Sequence, residues 1–259
     1  MKSEKLDGKL GGKLPGKLYV LGAGPGDPEL MTVKAVKILG RVETVFVPRG
    51  REEGESLALS IVRGAVSLEG KTVVDIHFPM VKTRGNDGGA PSGVNGGALL
   101  DSKWDAAART IIEVLKTGRD AAFVTLGDPT LYSTFYYVHE RLSALLPDAE
   151  VELVPGVSSV TASAARSGTY LGAADENIAI VPATYCRDVA RLLKNFDTVV
   201  LMKVHRVFDD ALDALEAAGL VEKAVYVSRA TMQDEEVVTD IRTLRGKTLG
   251  YFSVLIIRS

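Results

Sequence analysis

The chain has 259 residues, 46% apolar and 25% charged, with 31 basic against 33 acidic side chains and a net charge of −2. That balance, without a basic run, argues against a nucleic-acid partner, whose affinity rests on phosphate neutralisation. No apolar stretch reaches the roughly 18 residues of a bilayer span, and no signal-peptide pattern opens the chain, so neither membrane nor secretion is expected. The single cysteine, Cys186, permits no intramolecular disulfide and fits a reducing cytoplasm. With it, the scattered His77, His139 and His205 offer no metal-ligand spacing, so no metal is expected.

Residues 1–16 begin a threefold Gly-Lys-Leu repeat with no amphipathic period and read as a flexible tail. Gly11, Gly16 and Lys17 mimic a phosphate loop in spacing only, since they precede a strand and Leu18 stands where Ser or Thr is needed. From Lys17 onward, strands are expected near 18–22, 43–48, 72–78, 120–126 and 150–154. Helices are expected near 28–39, 55–66, 102–117 and 129–146. Such alternation predicts an α/β fold with a mostly parallel sheet. Residues 85–97 hold six glycines and Pro91, too few apolar groups for a core, and read either as a surface insertion or as a lid over a cleft. Beyond Val154-Pro155-Gly156 comes a small-residue helix at 158–167, then strands near 177–182, 197–203, 223–228 and 250–257, with helices near 187–194 and 207–218. Turn signals after Ala230 and the apolar run 251–257 suggest an antiparallel hairpin. The expected organisation is the tail 1–16, an N-terminal α/β domain over 17–138 and a C-terminal α/β domain over 139–259, whose sheet is mixed. Met31, Met80, Met232 and Trp104 are expected in the core.

Chemistry is concentrated in the turns. Gly22-Ala23-Gly24-Pro25-Gly26-Asp27-Pro28 follows one apolar run, and Gly127-Asp128-Pro129 follows another. Each reads as strand, glycine turn and helix, with Asp as N-cap and Pro at the first helical position. Strand-to-helix turns at the carboxyl edge of a sheet are where small ligands bind. A helix end already neutralised by aspartate is a poor seat for phosphate and a better one for a neutral or cationic group. The spacing Gly22-x-Gly24-x-Gly26 also departs from the dinucleotide fingerprint, and the second strand ends in Pro48-Arg49 rather than an acid. An arginine there leaves an NADP-dependent oxidoreductase as the distant alternative.

Residues 22–30, the segment Thr125-Leu126-Gly127-Asp128-Pro129-Thr130-Leu131-Tyr132-Ser133-Thr134-Phe135, residues 154–159, Leu201-Met202-Lys203 and Tyr251-Phe252-Ser253 together resemble the tetrapyrrole methylase family, from about Lys17 to the end of the chain. Within it, residues 126–135, His77-Phe78-Pro79-Met80 and Leu201-Met202-Lys203 are most similar to the branch that methylates C-20 of precorrin-2 or its cobalt form. The resemblance implies a two-domain homodimeric enzyme using S-adenosylmethionine in the cleft between domains, with a tetrapyrrole as substrate. It places cofactor contacts at Pro25, Leu126, Gly127, Asp128, Leu131, Tyr132, Ser158, Ser159, Met202 and Ala230. Methyl transfer to an electron-rich carbon needs mainly positioning and a dry pocket. A proton must then leave, and Asp27 and Tyr132 are the candidate acceptors in the expected cleft, against plainer roles as cap and packing residue. Arg49, Arg51, Lys82 and Arg84 could meet substrate carboxylates, although solvated surface charge is the plainer reading. His77 and His205 read as structural histidines rather than cobalt ligands. Other methylases of the family, acting on uroporphyrinogen, diphthamide or ribosomal RNA, and a non-catalytic nucleotide-binding module remain as alternatives.

Overall fold

The computed structural model describes residues 14–49, 56–77, 94–185 and 188–258. Five strands, β1 (Leu18–Gly22), β2 (Thr44–Arg49), β3 (Thr72–His77), β4 (Ala121–Thr125) and β5 (Val151–Val154), form a sheet in the order β3-β2-β4-β1-β5. Every pairing in it is parallel. β1 and β4 are central and buried along their whole length, as their apolar sequences require of strands covered on both faces. One face is covered by α1 (Val33–Arg41) and α2 (Leu57–Ala65), whose Ile38, Leu39, Leu59 and Val62 pack on Leu21, Val45 and Val124. The other carries α3 (Val94–Leu115) and α4 (Phe135–Leu145), whose Ile111, Leu115 and Phe135 pack on Leu18, Phe46 and Phe123.

The second sheet has strands β6 (Ile178–Pro182), β7 (Thr198–Met202), β8 (Ala224–Ser228), β9 (Glu236–Val238) and β10 (Ser253–Arg258), in the order β6-β7-β10-β8-β9. Only β6 and β7 run parallel; the last strand inserts antiparallel to both β7 and β8. The sheet is therefore mixed. Helix α5 (Ser159–Ser167) packs on one face through Val160, Ala162 and Ala164, against Val200, Val225, Val254 and Ile256. α6 (Val189–Asn195) and α7 (Phe208–Ala218) cover the other through Leu193, Phe208, Leu212 and Leu215.

Several expectations need correcting. The helix expected from residue 28 is a 3-10 turn over Pro28–Leu30, and α1 begins only after Thr32, whose hydroxyl caps it by accepting from the Ala35 amide at 3.2 Å. The helix expected from Pro129 starts at Phe135, because Ser133 rather than Asp128 accepts an amide of its first turn, from Phe135 at 3.2 Å. α3 begins eight residues earlier than expected, so 94–97 of the glycine-rich segment are helical, while the lid reading for 85–93 falls outside the described residues. β5 lies beyond the expected 138/139 boundary yet pairs with β1, so the change of sheet comes between Val154 and Ile178. Trp104 and Met31 are buried as expected, Met80 is outside the described residues, and Met232 lines a cleft. The hairpin expected after Ala230 does not form: β9 and the closing run β10 each pair antiparallel with β8, on opposite edges of it, rather than with one another.

Phe123 is fully buried on β4, with its ring 4.9 Å from that of Phe135. Phe123→Ala should lower the free energy of unfolding by about 3–5 kcal/mol, read by chemical denaturation, because the cavity it opens is walled by two helices that cannot collapse into it.

Candidate functional site

The turns that follow β1, β4 and β5 meet backbone to backbone at the carboxyl edge of the parallel sheet. The Gly24 and Gly127 peptides exchange reciprocal hydrogen bonds, at 3.2 and 2.8 Å, which extends the β1–β4 pairing into an isolated antiparallel bridge. Gly156, from the third turn, is packed so closely that a Cβ on it would lie 2.3 Å from the Gly127 carbonyl oxygen and 2.8 Å from the Gly22 Cα. A Cβ on Gly22 would lie 2.6 Å from the same oxygen. No side chain fits at Gly22 or Gly156, while Gly127, whose Cβ position is open, is required by its left-handed backbone (φ 70°).

Asp128 ties the node together. Its Oδ2 accepts from the Gly156 amide at 2.9 Å, and its Oδ1 accepts from the Thr130 amide at 2.7 Å and from the Thr130 hydroxyl. It caps no helix. Asp27 caps only the three-residue 3-10 turn, accepting from Glu29 at 2.9 Å. The expectation that two aspartates neutralise two helix dipoles is thus replaced by another arrangement: the α1 and α4 helix ends stand away from the glycine turns, and Asp128 is a cross-link between loops.

The second half of the chain closes on this edge along an apolar seam. Leu131 and Val157, from the second and third turns, pack with Val160 of α5, Met202 at the end of β7 and Ala230 after β8. Leu131, Met202 and Ala230 are therefore brought together, and Pro25 is buried in the first turn. Leu126 directs its side chain into the α1–α2 core, which leaves its backbone to face the turns. Ser158 is used as the cap of α5, its Oγ accepting from Thr161 at 3.2 Å, and Ser159 opens that helix. Tyr132 has a left-handed backbone (φ 53°) and donates its phenolic proton to the Ile180 carbonyl of β6 at 2.9 Å. Burial raises its pKa. A phenol that is already donating, and whose anion is disfavoured, is a poor proton acceptor; here it ties the second turn to the other sheet.

A cleft of about 680 Å³ opens beside the first turn, lined by Gly26, Asp27, Pro28, Leu57, Ser60 and the loop 229–234. The Gly26-Asp27-Pro28 turn is held from two sides. Gly64 of α2 receives the Pro28 ring so closely that a Cβ there would approach the ring at 2.5 Å. Opposite, the Thr231 Oγ1 accepts from the Asp27 amide at 3.1 Å. Arg229 and Thr231 both have left-handed backbones (φ 51° and 66°), a conformation that costs on the order of 1–3 kcal/mol per non-glycine residue and persists only where its surroundings enforce it. Sequence reasoning reached Ala230 and the turn signals after it, but missed the left-handed Arg229 and Thr231 and the Asp27 contact, for which there is no local signal. Gly64 did offer one, since a glycine inside an apolar-periodic helix marks a close approach.

Of the expected cations, Arg49 pairs with Asp75 at 2.8 Å across β2 and β3, whereas Arg51, Lys82 and Arg84 lie outside the described residues. His77 is exposed at the end of β3. His205 stacks edge-on against Tyr251 with centroids 5.4 Å apart, and burial lowers its pKa, which is the environment of a structural histidine.

Comparison with known proteins gives this geometry a family. A model of tetrapyrrole (corrin/porphyrin) methylases matches residues 17–245. The chain is 35% identical to a cobalt-precorrin-2 C(20)-methyltransferase of Salmonella typhimurium, over 93% of this chain and 96% of that one. It is 30% identical to a precorrin-2 C(20)-methyltransferase of Sinorhizobium, over 93% and 95%. Among solved structures, a cobalt precorrin-4 methyltransferase shares the fold with a TM-score of 0.67 at 22% identity, covering 93% of this chain and 94% of that one. The chain belongs to the tetrapyrrole methylase family.

Gly156→Ala should destabilise the protein by about 1–3 kcal/mol, since the new methyl meets backbone rather than a yielding side chain. Gly40→Ala, near the end of α1 with open space around its Cβ position, should instead stabilise by about 0.5–1 kcal/mol. Thermal unfolding of the two variants side by side checks both signs.

Proposed function

We propose that the chain is an S-adenosylmethionine-dependent methyltransferase acting on C-20 of precorrin-2 or its cobalt form, in cobalamin biosynthesis. The observation that carries this reading is the identity of 35% over nearly the full length of both chains to a relative named for that reaction, on a chain whose three glycine turns form a backbone cradle. We further propose two domains divided after β5, with the cofactor between them, and a cytoplasmic homodimer, as the family resemblance implies. Light scattering checks the assembly.

The cradle suits the cofactor. Gly22, Gly24, Pro25, Gly127, Asp128 and Gly156 include no cation, as fits a positively charged sulfonium and an amino acid rather than a pyrophosphate. A uroporphyrin-III C-methyltransferase of Thermus thermophilus that shares the fold was solved with S-adenosylhomocysteine, which supports this cofactor class. When bound, S-adenosylmethionine supplies an electrophilic methyl group. The chain's own share is positional. In this reading the backbone of Leu126 and Gly127, with Asp128, orients the amino-acid end, Leu131, Met202 and Ala230 exclude water from the seam, and Pro25, Tyr132, Ser158 and Ser159 complete the contacts. Asp27 lines the neighbouring cleft, and its Oδ2 has no partner among the described residues. In this reading Asp27 accepts the proton that leaves the methylated carbon, and Arg229, paired with Asp234 on the same cleft, is the cation nearest the substrate carboxylates.

Titration calorimetry with S-adenosylhomocysteine should give about one site per chain, and saturation at 100 times Kd should stabilise the fold by about 2.7 kcal/mol. Absence of both heat and stabilisation rejects the cofactor. Labelled S-adenosylmethionine with each of the two tetrapyrroles, and mass spectrometry of the product, identifies the substrate. Tyr132→Phe should retain methyl transfer within about tenfold while losing about 0.5–1.5 kcal/mol of stability with the Ile180 hydrogen bond; a loss of a thousandfold in rate would restore Tyr132 as the proton acceptor.

A further inference from the structure

The loop 229–235 makes more contacts than a connection between β8 and β9 needs. Thr231 is β-branched and left-handed, the combination least tolerated by backbone sterics. Both of its polar groups on the cleft side are engaged. Its Oγ1 receives the Asp27 amide at 3.1 Å, and its own amide donates to the Glu235 carboxylate at 2.6 Å. Glu235 is 13% exposed and in turn accepts from Arg166 Nε through both oxygens, at 2.7 and 2.9 Å. Arg166 lies in the last turn of α5, the helix whose first residues follow Gly156 of the glycine node. On the remaining flank, Met232 lies against Gly26, where a Cβ would come within 2.5 Å of its Cγ.

These contacts form a chain that leaves the node through α5, crosses Arg166, Glu235 and Thr231, and returns to the amide of Asp27. The first glycine turn is also held by the Gly24–Gly127 exchange and by Gly64 behind Pro28, neither of which contacts the Asp27 amide. Within the turn the Glu29 amide donates to Asp27 Oδ1 at 2.9 Å and the Leu30 amide to the Asp27 carbonyl at 3.1 Å; the Asp27 amide is the group that the second half of the chain holds, through Thr231.

We propose that Thr231 is a positioning residue for the methyl-transfer site: held by the Glu235–Arg166 pair, it fixes the Asp27 peptide and so aims the Asp27 carboxylate into the cleft. The inference rests on the functional reading of that cleft. Its substance is that a strained loop of the second half sets the geometry of an acid on the first half. The loop carries two ion pairs, Arg166–Glu235 and Arg229–Asp234, but its contact with Asp27 is a neutral hydroxyl.

The test uses the full chain carrying Thr231→Val, which keeps the branched shape and loses only the acceptor, Thr231→Ser, which keeps the acceptor, and Glu235→Gln. Amide hydrogen exchange at Asp27 reads the contact directly, whatever substrate the enzyme takes. Thr231→Val should speed that exchange about tenfold or more relative to Leu30, whose amide is bonded within the turn. It should lower kcat about tenfold while the KM for the tetrapyrrole and the Kd for S-adenosylhomocysteine move less than about twofold. Thr231→Ser should recover both readouts to within about threefold of the parent, and Glu235→Gln should fall between. Unchanged Asp27 exchange in Thr231→Val overturns the proposal. So does faster exchange with kcat intact, or equal loss in the valine and serine variants. If Thr231→Val fails to fold, Glu235→Gln decides by the same readouts, with unchanged Asp27 exchange counting against. A parent enzyme that transfers no methyl to either tetrapyrrole, while Asp27 exchange still responds to Thr231→Val, overturns the functional reading and the catalytic half of this proposal and leaves the contact standing.

Discussion

The molecule is organised around the point where Gly22, Gly127 and Gly156 touch. Three parallel strands normally end in loops that diverge, because side chains keep them apart. Here the Cβ of any residue but glycine would come within 3 Å of neighbouring backbone at Gly22 and Gly156. The reward is a surface of peptide groups at the carboxyl edge of the sheet, in place of side chains. Asp128 then exploits the closeness, reaching from one turn to the amide of another at 2.9 Å. Once these turns are fixed, so are the entry of α5 through Gly156 and the placement of Leu131 and Val157 against Met202 and Ala230. The seam between the two sheets is thereby a consequence of the node.

Much of this was legible in the sequence, for identifiable reasons. β1 and β4 read clearly because fully buried parallel strands are short uninterrupted apolar runs bounded by glycine, and both are covered on two faces. The amphipathic α2 and α7 have the spacing that one-sided burial demands, with Ala58, Leu59, Ile61 and Val62 buried in one and Phe208, Ala211, Leu212 and Leu215 in the other. Helix starts were the weak point. Gly-Asp-Pro has the composition of a capped N-terminus, and the rule holds locally at Asp27. Each helix nevertheless begins several residues later, at Thr32 because Asp27 is used by the 3-10 turn, and after Ser133 because the Asp128 carboxylate is drawn to Gly156. That contact spans 28 residues and has no trace in local pattern.

The cleft shows the same division. Residues carried by motifs, such as Leu131, Met202 and Ala230, converge in one apolar cluster. The loop 229–235 was unreadable because its function depends on backbone conformation, and nothing in Arg229 or Thr231 as residue types announces a positive φ. The hydroxyl contact of Tyr132 was hidden for a related reason. An exposed tyrosine beside a glycine turn looks available for proton transfer until the backbone twist that delivers its hydroxyl to Ile180 is known.

The correction to the caps also changes why a dinucleotide is a poor ligand. The sequence argument was electrostatic: an aspartate at each helix end repels phosphate. In the structure the objection is one of placement. A pyrophosphate site needs the helix to start at the glycine turn, so that free amides and the dipole converge on the anion. Here a 3-10 turn separates Gly26 from α1, whose first amides are met by Thr32, and a loop separates Gly127 from α4. The third turn does lead into α5 at once, but Ser158 already occupies its amide end. What remains at the node is close-packed peptide backbone and one fixed carboxylate. That surface can recognise an amino acid and tolerate a cation, and it offers phosphate no charge to replace its water.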